Sequence, residues 1–272
     1  MKFLHFSDLH LCKNRSDLLY GINPADRLVK ALRHVQQFHK DANFLVITGD
    51  LANYGEKSAY EDLSSIFENF SIPVIIIPGN HDNPKLIDDI FPIFDGKIQD
   101  LKKGIWLGKE IRSEKDCFIF LDSTGGVGHS GAFPIERAQD LDRRLTENAD
   151  RHIYLFLHHP PLCLGVPSMD PIRLQDPIYL QSVIEKHRSQ IRCLFMGHLH
   201  RPIEGSWRGI PFVIVRSLAH QVEMNDSPKG EGGQWQIPGN DETPEYNVIT
   251  IQKQNFYVHS ERFLEKNRKF WL

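Results

Sequence analysis

The chain has 272 residues, of which 40% are hydrophobic, and 32 basic residues against 35 acidic residues give a formal net charge of −3. This length and apolar content are sufficient for one sizeable α/β domain with a large core. The near balance of charge excludes a global field that would draw the protein to nucleic acid or to an anionic membrane surface. We therefore expect a small, locally bound substrate, and neither a nucleic-acid polymer nor a membrane as partner.

The N-terminal segment and the cysteines indicate a cytoplasmic location. Asp8 interrupts the first apolar stretch too soon for a signal peptide, and no run of apolar residues reaches transmembrane length. The four cysteines show no CxxC spacing, which favours reduced thiols over a disulfide framework. Nothing in these features decides between a monomer and a homo-oligomer.

In chain order, the apolar patterns predict strands that alternate with helices. Asn23 and Pro24 are typical of a helix start, and this first helix forms a βαβ crossover between the first two strands. Pro92 ends any helix that begins near Pro84. The predicted strands cover residues 2–6, 44–47, 73–77, 117–121, 153–157 and 191–196, and the predicted helices cover 24–38, 60–70, 134–147 and a segment that ends near residue 187.

The last third of the chain has a different pattern. Shorter, more alternating runs at 210–215, 246–251 and 256–260 predict antiparallel strands and suggest a second sheet. The Gly-rich stretch 225–240 predicts a mobile loop, and 165–176 predicts a long loop beside the site. A second Gly-rich stretch, 122–126, is interpreted as a turn, with a phosphate-binding loop as the alternative.

The central strand, 44–47, ends at Thr48-Gly49 and is followed by Asp50. Sheets with parallel strands bind ligands beyond the carboxyl ends of those strands, so this position is a candidate site. Other strand-like runs also end in residues that bind metals. Together they supply seven oxygen and nitrogen donors: Asp8, His10, Asp50, Asn80, His158, His198 and His200.

One ion cannot use seven donors, but two can if a carboxylate bridges them. Asp50 is the natural bridge, because it is the only carboxylate at the end of the central strand. Imidazole and carboxylate donors suit Zn, Mn, Fe or Co, and the absence of cysteine argues against a closed structural zinc site. Two ions about 3.5–4 Å apart can clamp a phosphate ester and generate hydroxide near neutral pH. The donor set therefore indicates phosphoryl chemistry.

The motifs D-x-H, GD, GNHD, HHPP and GHLH, in this order, resemble those of the calcineurin-like metallophosphoesterases. Within that superfamily the chain resembles the class III cyclic nucleotide phosphodiesterases and a related bacterial glycerophosphodiesterase, through HHPPLCLG, Met169-Asp170-Pro171 and residues 217–222. The resemblance implies a four-layer α/β/β/α sandwich with a dinuclear metal site at the strand ends. It covers residues 1–222, which we take as the catalytic core. The extension 223–272 is expected to complete the second sheet or to form cap or oligomer contacts.

The same resemblance implies a role for each motif residue. One ion would be held by Asp8, His10, Asp50 and His200, and the other by Asp50, Asn80, His158 and His198. His158 is preferred to His159 because the family ligand lies two residues before a proline, here Pro160.

The catalytic residues implied are Asp50, as the bridge, and His81, which would contact the substrate phosphate and protonate the leaving oxygen. Further residues expected to bind substrate or to support the pocket are Asn80, His159, Asn53, Tyr20 and His220.

Three alternatives remain to be compared with a small-molecule phosphodiesterase. A phosphomonoesterase could use the same two ions. A nuclease would need a basic track, and none is visible in the sequence. A non-catalytic scaffold of the same fold should have lost metal ligands, whereas all seven donors are present here.

Overall fold

The computed structural model describes residues 1–224 and 236–264. Within them, the helices are α1 (Pro24–Phe38), α2 (Lys57–Phe67), α3 (Pro84–Ile90), α4 (Ile135–Glu147) and α5 (Ile178–Lys186), with short 3-10 turns at Ile98–Asp100 and Asp170–Ile172. The strands are β1 (Lys2–Phe6), β2 (Phe44–Thr48), β3 (Val74–Ile77), β4 (Ile93–Lys97), β5 (Ile105–Arg112), β6 (Asp116–Phe120), β7 (His152–Phe156), β8 (Ile191–Met196), β9 (Ile203–Trp207), β10 (Ile210–Ile214), β11 (Gln221–Val222), β12 (Gly239–Asn240), β13 (Glu245–Gln252) and β14 (Asn255–Arg262).

Helix α1 shows how local sequence starts the fold. The Asn23 side chain accepts a hydrogen bond from the Asp26 backbone N–H over 2.8 Å, and Pro24 occupies the first turn, where its missing N–H costs nothing. The buried face of the helix packs against β1 and β2, which run parallel. The predicted βαβ unit is therefore confirmed, and it aligns the carboxyl ends of the two strands.

A single hydrogen-bonded sheet of twelve strands contains most of the strands in the described part of the chain. The parallel run β1-β2-β3 continues through β5, which is antiparallel to β6, into the parallel run β6-β7-β8-β10. The two halves face each other across an apolar layer in which Phe3 packs edge-on against Phe118 and Phe195, with ring centroids 5.6 and 5.5 Å apart. Each such aromatic pair adds about 0.5–1.5 kcal/mol beyond the area that it buries.

Two further apolar layers cover the outer faces of the folded sheet. Helices α1, α2 and α3 pack on β1-β2-β3, whereas α4 and α5 pack on β6, β7, β8 and β10. The order helix, sheet, sheet, helix confirms the predicted four-layer sandwich.

The late strands differ from the prediction of a separate second sheet. β10 pairs parallel with β8 and antiparallel with β9, whereas β13 pairs antiparallel with β1 and with β14. The chain extension thus adds a hairpin to the open edge of β1, because that edge has unpaired backbone groups. Strands β4, β5 and β9 had no clear apolar pattern in the sequence; β5, for example, contains the polar pair Lys109-Glu110.

The predicted mobile loop, 225–240, lies partly outside the described residues, at 225–235. Its described end contains β12, which pairs antiparallel with β11. Among residues 1–224 and 236–264, no helix combines the length and the apolar character needed to cross a membrane.

Candidate metal centre

The donor residues at the strand ends share an unusual backbone conformation. Asp8, His10, Asp50, His198 and His200 have φ angles between 48° and 71°. A left-handed backbone costs a non-glycine residue on the order of 1–3 kcal/mol and is kept where the surrounding structure holds it. Here it turns five donor side chains of the β1, β2 and β8 ends towards one another.

Backbone hydrogen bonds between neighbouring strand ends hold this conformation. The Asp8 N–H donates to the Gly49 carbonyl over 3.1 Å, and the His10 N–H donates to the Asp50 carbonyl over 2.9 Å. The His198 N–H donates to the Asp8 carboxylate over 3.1 Å. The β8 end is thereby joined to the β1 end, which joins the two halves of the sheet at the site.

The first donor cluster consists of Asp8, His10, Asp50 and His200, all buried, with one ligand atom of each within 4.8 Å of the others. His10 Nε2 and His200 Nε2 lie 3.1 Å apart, and His200 Nε2 lies 3.3 Å from Asp8 Oδ1. Two imidazole nitrogens that face each other and two carboxylates are the donor types that Zn, Mn, Fe or Co bind.

The second cluster shares Asp50 with the first. Asp50 Oδ2 lies 3.6 Å from His10 Nε2 and 3.4 Å from His158 Nε2, so one oxygen faces both groups of donors. His158 Nε2 is also 3.1 Å from Asn80 Oδ1. A ligand atom of His198 lies within 4.8 Å of one of His158.

Each donor histidine uses one ring nitrogen to donate a hydrogen bond to an oxygen, and the other nitrogen can bind a metal ion when it carries no proton. This arrangement fixes the tautomer and the orientation of a metal ligand. The oxygen partners are Asn53 Oδ1 for His10 (3.2 Å), the Thr48 carbonyl for His158 (2.7 Å), the His220 carbonyl for His200 (2.9 Å) and the Ile172 carbonyl for His198 (3.0 Å). The chemistry of the donor set therefore fits two divalent ions.

The protonation of these rings follows from burial and from the carboxylates. Burial lowers the pKa of His10 and of His198 well below its usual range, so both rings are neutral at pH 7. Burial also opposes charge on His158, but the carboxylates of Asp50 and Asp8 outweigh it and raise the pKa of His158 to about 9. A cation that binds there replaces a proton.

A cavity of about 860 Å³ opens over the two clusters. Tyr20, Asn53, Asn80, His81 and His220 line it, as does the described segment 236–241 of the extension, except for Pro238. Its described lining contains no lysine or arginine.

His81 lies at the cavity wall next to Asp50. Its Nδ1–H donates to the Asn53 carbonyl over 2.7 Å, which leaves Nε2 for the cavity. Its ring stacks on that of His129, with centroids 4.7 Å apart. The Asn80 amide nitrogen donates to His129 Nδ1 over 2.9 Å, which turns the Asn80 oxygen towards His158.

His159, which was expected to bind substrate or to support the pocket, does not line the cavity. It is fully buried behind His198, with ring centroids 4.6 Å apart, and its Nδ1 is 2.8 Å from Ser123 Oγ. His159 belongs with His158 and His198 to a group of buried side chains whose ligand atoms lie within 4.8 Å of one another, and it is His158 that contacts Asp50, at 3.4 Å. This position next to two donor histidines favours the expectation that His159 supports the pocket.

Two residues that contact the site were not singled out in the sequence analysis. His129 lies in a Gly-rich loop that follows β6, and the signal that could have found it is a histidine between glycines at the same sheet edge. Asp82 was named only as part of GNHD. Its carboxylate accepts the N–H groups of Leu51 (3.0 Å), Ala52 (3.0 Å) and Gly79 (2.9 Å), and so ties the two loops that carry Asp50 and Asn80. Burial and the nearby Asp50 carboxylate raise the pKa of Asp82 to about 6.

Fold and site together define a mixed α/β protein with a candidate dinuclear metal centre at the strand ends. The family model of the calcineurin-like phosphoesterases matches residues 1–202. The chain therefore belongs to the calcineurin-like phosphoesterase family, whose members use a dinuclear metal site.

Several named proteins are similar over most of their length. A Rhodopseudomonas palustris protein named "Probable cyclic nucleotide phosphodiesterase" is 36% identical over 265 residues, which cover 97% of this chain and 93% of that protein. The 3',5'-cyclic adenosine monophosphate phosphodiesterase CpdA of Escherichia coli is 28% identical, with 84% and 79% covered. The glycerophosphodiester phosphodiesterase GpdQ of Enterobacter lignolyticus is 26% identical, with 82% and 79% covered. A dimetal phosphatase from Danio rerio shares the fold, with a TM-score of 0.64 at 15% identity over 97% of this chain and 96% of that one.

Proposed function

We propose that the protein is a metal-dependent phosphodiesterase that hydrolyses small phosphodiesters, either a cyclic nucleotide such as cyclic AMP or a glycerophosphodiester. The observation that carries the proposal is the shared oxygen Asp50 Oδ2, which faces His10 Nε2 at 3.6 Å and His158 Nε2 at 3.4 Å. The names of the similar proteins support both substrate classes.

Two divalent ions, from among Fe, Mn, Zn and Co, are proposed as cofactors. One would be held by Asp8, His10, Asp50 and His200, and the other by Asp50, Asn80, His158 and His198. When bound, such ions supply Lewis acidity and a nucleophile from water near neutral pH.

The residues of the chain then position and protonate the substrate. His81 is proposed as the general acid: its Nδ1–H donates to the Asn53 carbonyl, and in the doubly protonated ring the Nε2–H would give its proton to the leaving oxygen, which returns the ring to the neutral form. His129 stacks on this ring and keeps the Asn80 oxygen turned to the second cluster. Tyr20, Asn53 and His220 are proposed to contact the substituents of the phosphate.

The described cavity lining has Asp50 and Asp241 and no lysine or arginine. The two bound ions would therefore be the main counter-charge for the phosphate of an ester. The preference for diesters over monoesters is proposed from the names of the similar proteins.

We further propose that residues 1–222 form the catalytic core and that the extension 223–272 serves two purposes. Its strands β13 and β14 extend the sheet beside β1, and its segment 236–241 caps the cavity. A cytoplasmic location is proposed from the four cysteines, none of which is paired.

An assay of metal-reconstituted protein tests the function. We expect hydrolysis of cyclic AMP or of a glycerophosphodiester, and of a bis-aryl phosphate, at rates at least tenfold above that of an aryl phosphate monoester. If the monoester were hydrolysed faster than every diester, the proposal would be overturned in favour of a phosphomonoesterase. No turnover of any ester with two ions bound would favour a scaffold.

A further inference from the structure

A third group of metal-binding side chains lies at the opposite end of the strands from the dinuclear centre. It consists of His34 in α1, His39 directly after α1, and Glu261 in the edge strand β14. One ligand atom of each lies within 4.8 Å of the others. His39 precedes the amino end of β2, whereas Asp50 follows the carboxyl end of that strand. This group is therefore separate from the dinuclear centre.

His39 has polar atoms without partners. Both of its ring nitrogens are inaccessible to solvent and lack a hydrogen-bond partner among the described residues, and 13% of its side chain is exposed. A neutral imidazole has one donor and one acceptor, and leaving both unpaired in a buried position is unfavourable. Burial, with a smaller effect from Lys2, lowers the pKa of His39, so the ring keeps a lone pair at neutral pH.

The other two side chains are held in place by their neighbours. Glu261 Oε1 lies 3.7 Å from His39 Nε2. Donor atoms of a tetrahedral zinc site, each about 2.1 Å from the ion, are roughly 3.4 Å apart, so this pair needs little movement. His34 Nδ1 lies 2.6 Å from the hydroxyl of Tyr246, a fully buried residue opposite Glu261 in the β13–β14 ladder.

We propose that His34, His39 and Glu261 bind one divalent transition-metal ion, for which Zn²⁺ is the best match. Two imidazoles and one carboxylate are a common zinc donor set, and water can complete the tetrahedron. The ion gives the unpaired nitrogens of His39 a partner and links the end of α1 to the edge strand β14. This site is structural, since it lies away from the cavity.

The Tyr246 hydroxyl orients His34 in the same way that backbone carbonyls orient the histidines of the dinuclear centre. When His34 Nδ1–H donates to Tyr246, Nε2 retains its lone pair. The alternative is that His39 and Glu261 lie 3.7 Å apart without a metal ion between them. The two explanations differ in the number of ions that the protein binds.

The test counts Zn²⁺ in protein that carries no histidine tag. Chelator-treated protein is saturated with Zn²⁺, exchanged into buffer at low-micromolar free zinc, and analysed by mass spectrometry of the metal, with calorimetric titration for affinity. We expect three ions per chain in the parent and two in His39→Gln and in Glu261→Gln. We also expect at least tenfold weaker residual binding at this site in both variants. His187→Gln is the matched control. His187 also contacts a carboxylate, that of Asp142 at 2.7 Å, but among the described residues it belongs to no group that could hold a metal ion. The His187→Gln variant should keep three ions.

Two results would overturn the proposal. Two ions per chain in the parent, under conditions where calorimetric titration shows both sites of the dinuclear centre filled, would do so whatever the variants do, which covers the case of a variant that fails to fold. Three ions in both His39→Gln and Glu261→Gln would place the third ion elsewhere. Unchanged phosphodiester turnover in the variants, together with the loss of one ion, is the expected support, because the dinuclear centre is then intact.

Discussion

The backbone N–H of His81 donates a hydrogen bond to Asp50 Oδ1 over 2.9 Å. One oxygen of the Asp50 carboxylate is thereby used to hold the loop after β3 beside the loop after β2. The other oxygen, Oδ2, is left facing both clusters of metal-type donors. The two oxygens thus have separate tasks, one in positioning and one in the proposed bridge.

Replacement of Asp50 should remove the bridge. We expect Asp50→Ala to lower turnover by on the order of 10³-fold or more, because several kcal/mol of charge stabilisation are lost and about 1.4 kcal/mol corresponds to a factor of ten. Stability should fall by only about 1.5–3 kcal/mol, the value of one hydrogen bond to a charged acceptor. The exposed Asp89 gives the control Asp89→Ala, and an Asp50→Ala protein with two bound ions and normal turnover would refute the bridge.

The role of His81 can be separated from metal binding. We expect His81→Ala to reduce turnover about 10² to 10⁴-fold, the usual contribution of a general acid, and to leave the metal content unchanged. The loss should be smaller for a diester with an aryl oxide leaving group, which needs no proton. Parallel loss of metal and rate, measured by metal analysis and initial rates, would make His81 a ligand instead.

The two ions should differ in affinity. The proposed second site has a neutral amide, Asn80, where the first has the carboxylate Asp8, so the second ion should be lost first to a chelator. Asn80→Asp should tighten that site and slow turnover, because the added charge neutralises the ion and repels an anionic diester. Calorimetric titration with metal, alongside rates, measures both effects.

The matched control for this change is Asn83→Asp. Asn83 is the exposed N-cap of α3, and its Oδ1 accepts a hydrogen bond from the Leu86 N–H. An aspartate can keep this cap, so the control should alter neither metal affinity nor turnover. Equal affinity of the two sites in the parent, or looser binding in Asn80→Asp, would contradict the assignment of Asn80.

Asp82 should act as a positioning residue. Asp82→Asn replaces one acceptor oxygen by an NH₂ group, which would face backbone N–H donors and could not accept their hydrogen bonds. We therefore expect a stability loss of about 2–3 kcal/mol and weaker binding of both metal ions. Urea unfolding and metal titration measure these. Tyr60→Phe removes the hydroxyl that donates to Asp82 (3.1 Å) and accepts from the Asn83 N–H (2.8 Å), so we expect a stability loss of about 1–3 kcal/mol with metal binding intact. Equal metal affinity in Asp82→Asn and parent would exclude the positioning role.

Gly79 is required for the close approach of two loops. A Cβ at this position would overlap Oδ1 and the backbone nitrogen of Asp50, so Gly79→Ala should displace the carboxylate and abolish binding of the second ion. Gly96→Ala is the control, because a Cβ there would make only van der Waals contact with Phe94, at 3.4 Å. Normal metal content in Gly79→Ala would show that the loop can shift without consequence.

The first crossover helix and the meeting of strand-end polar residues at one edge of the sheet were predictable from the sequence alone, whereas the role of the seven donors as metal ligands stays a prediction. The physical reason is that parallel strands bring their carboxyl ends to one edge, so polar residues that follow apolar runs must meet there. Asn23 and Pro24 likewise indicated the start of α1, because an asparagine N-cap and a proline in the first turn are typical of helix starts.

Contacts between distant parts of the chain were decided only by the tertiary structure. The antiparallel pairing of β5 with β6 joins the two halves into one sheet, where the sequence had suggested two sheets. No local sequence pattern predicts that pairing. The stack of His129 on His81 and the approach of Glu261 to His39 each depend on packing between segments far apart in sequence. Periodicity and capping report only the neighbours of a residue along the chain, whereas the orientation of a donor and its hydrogen-bond partner are set by whichever element packs against it.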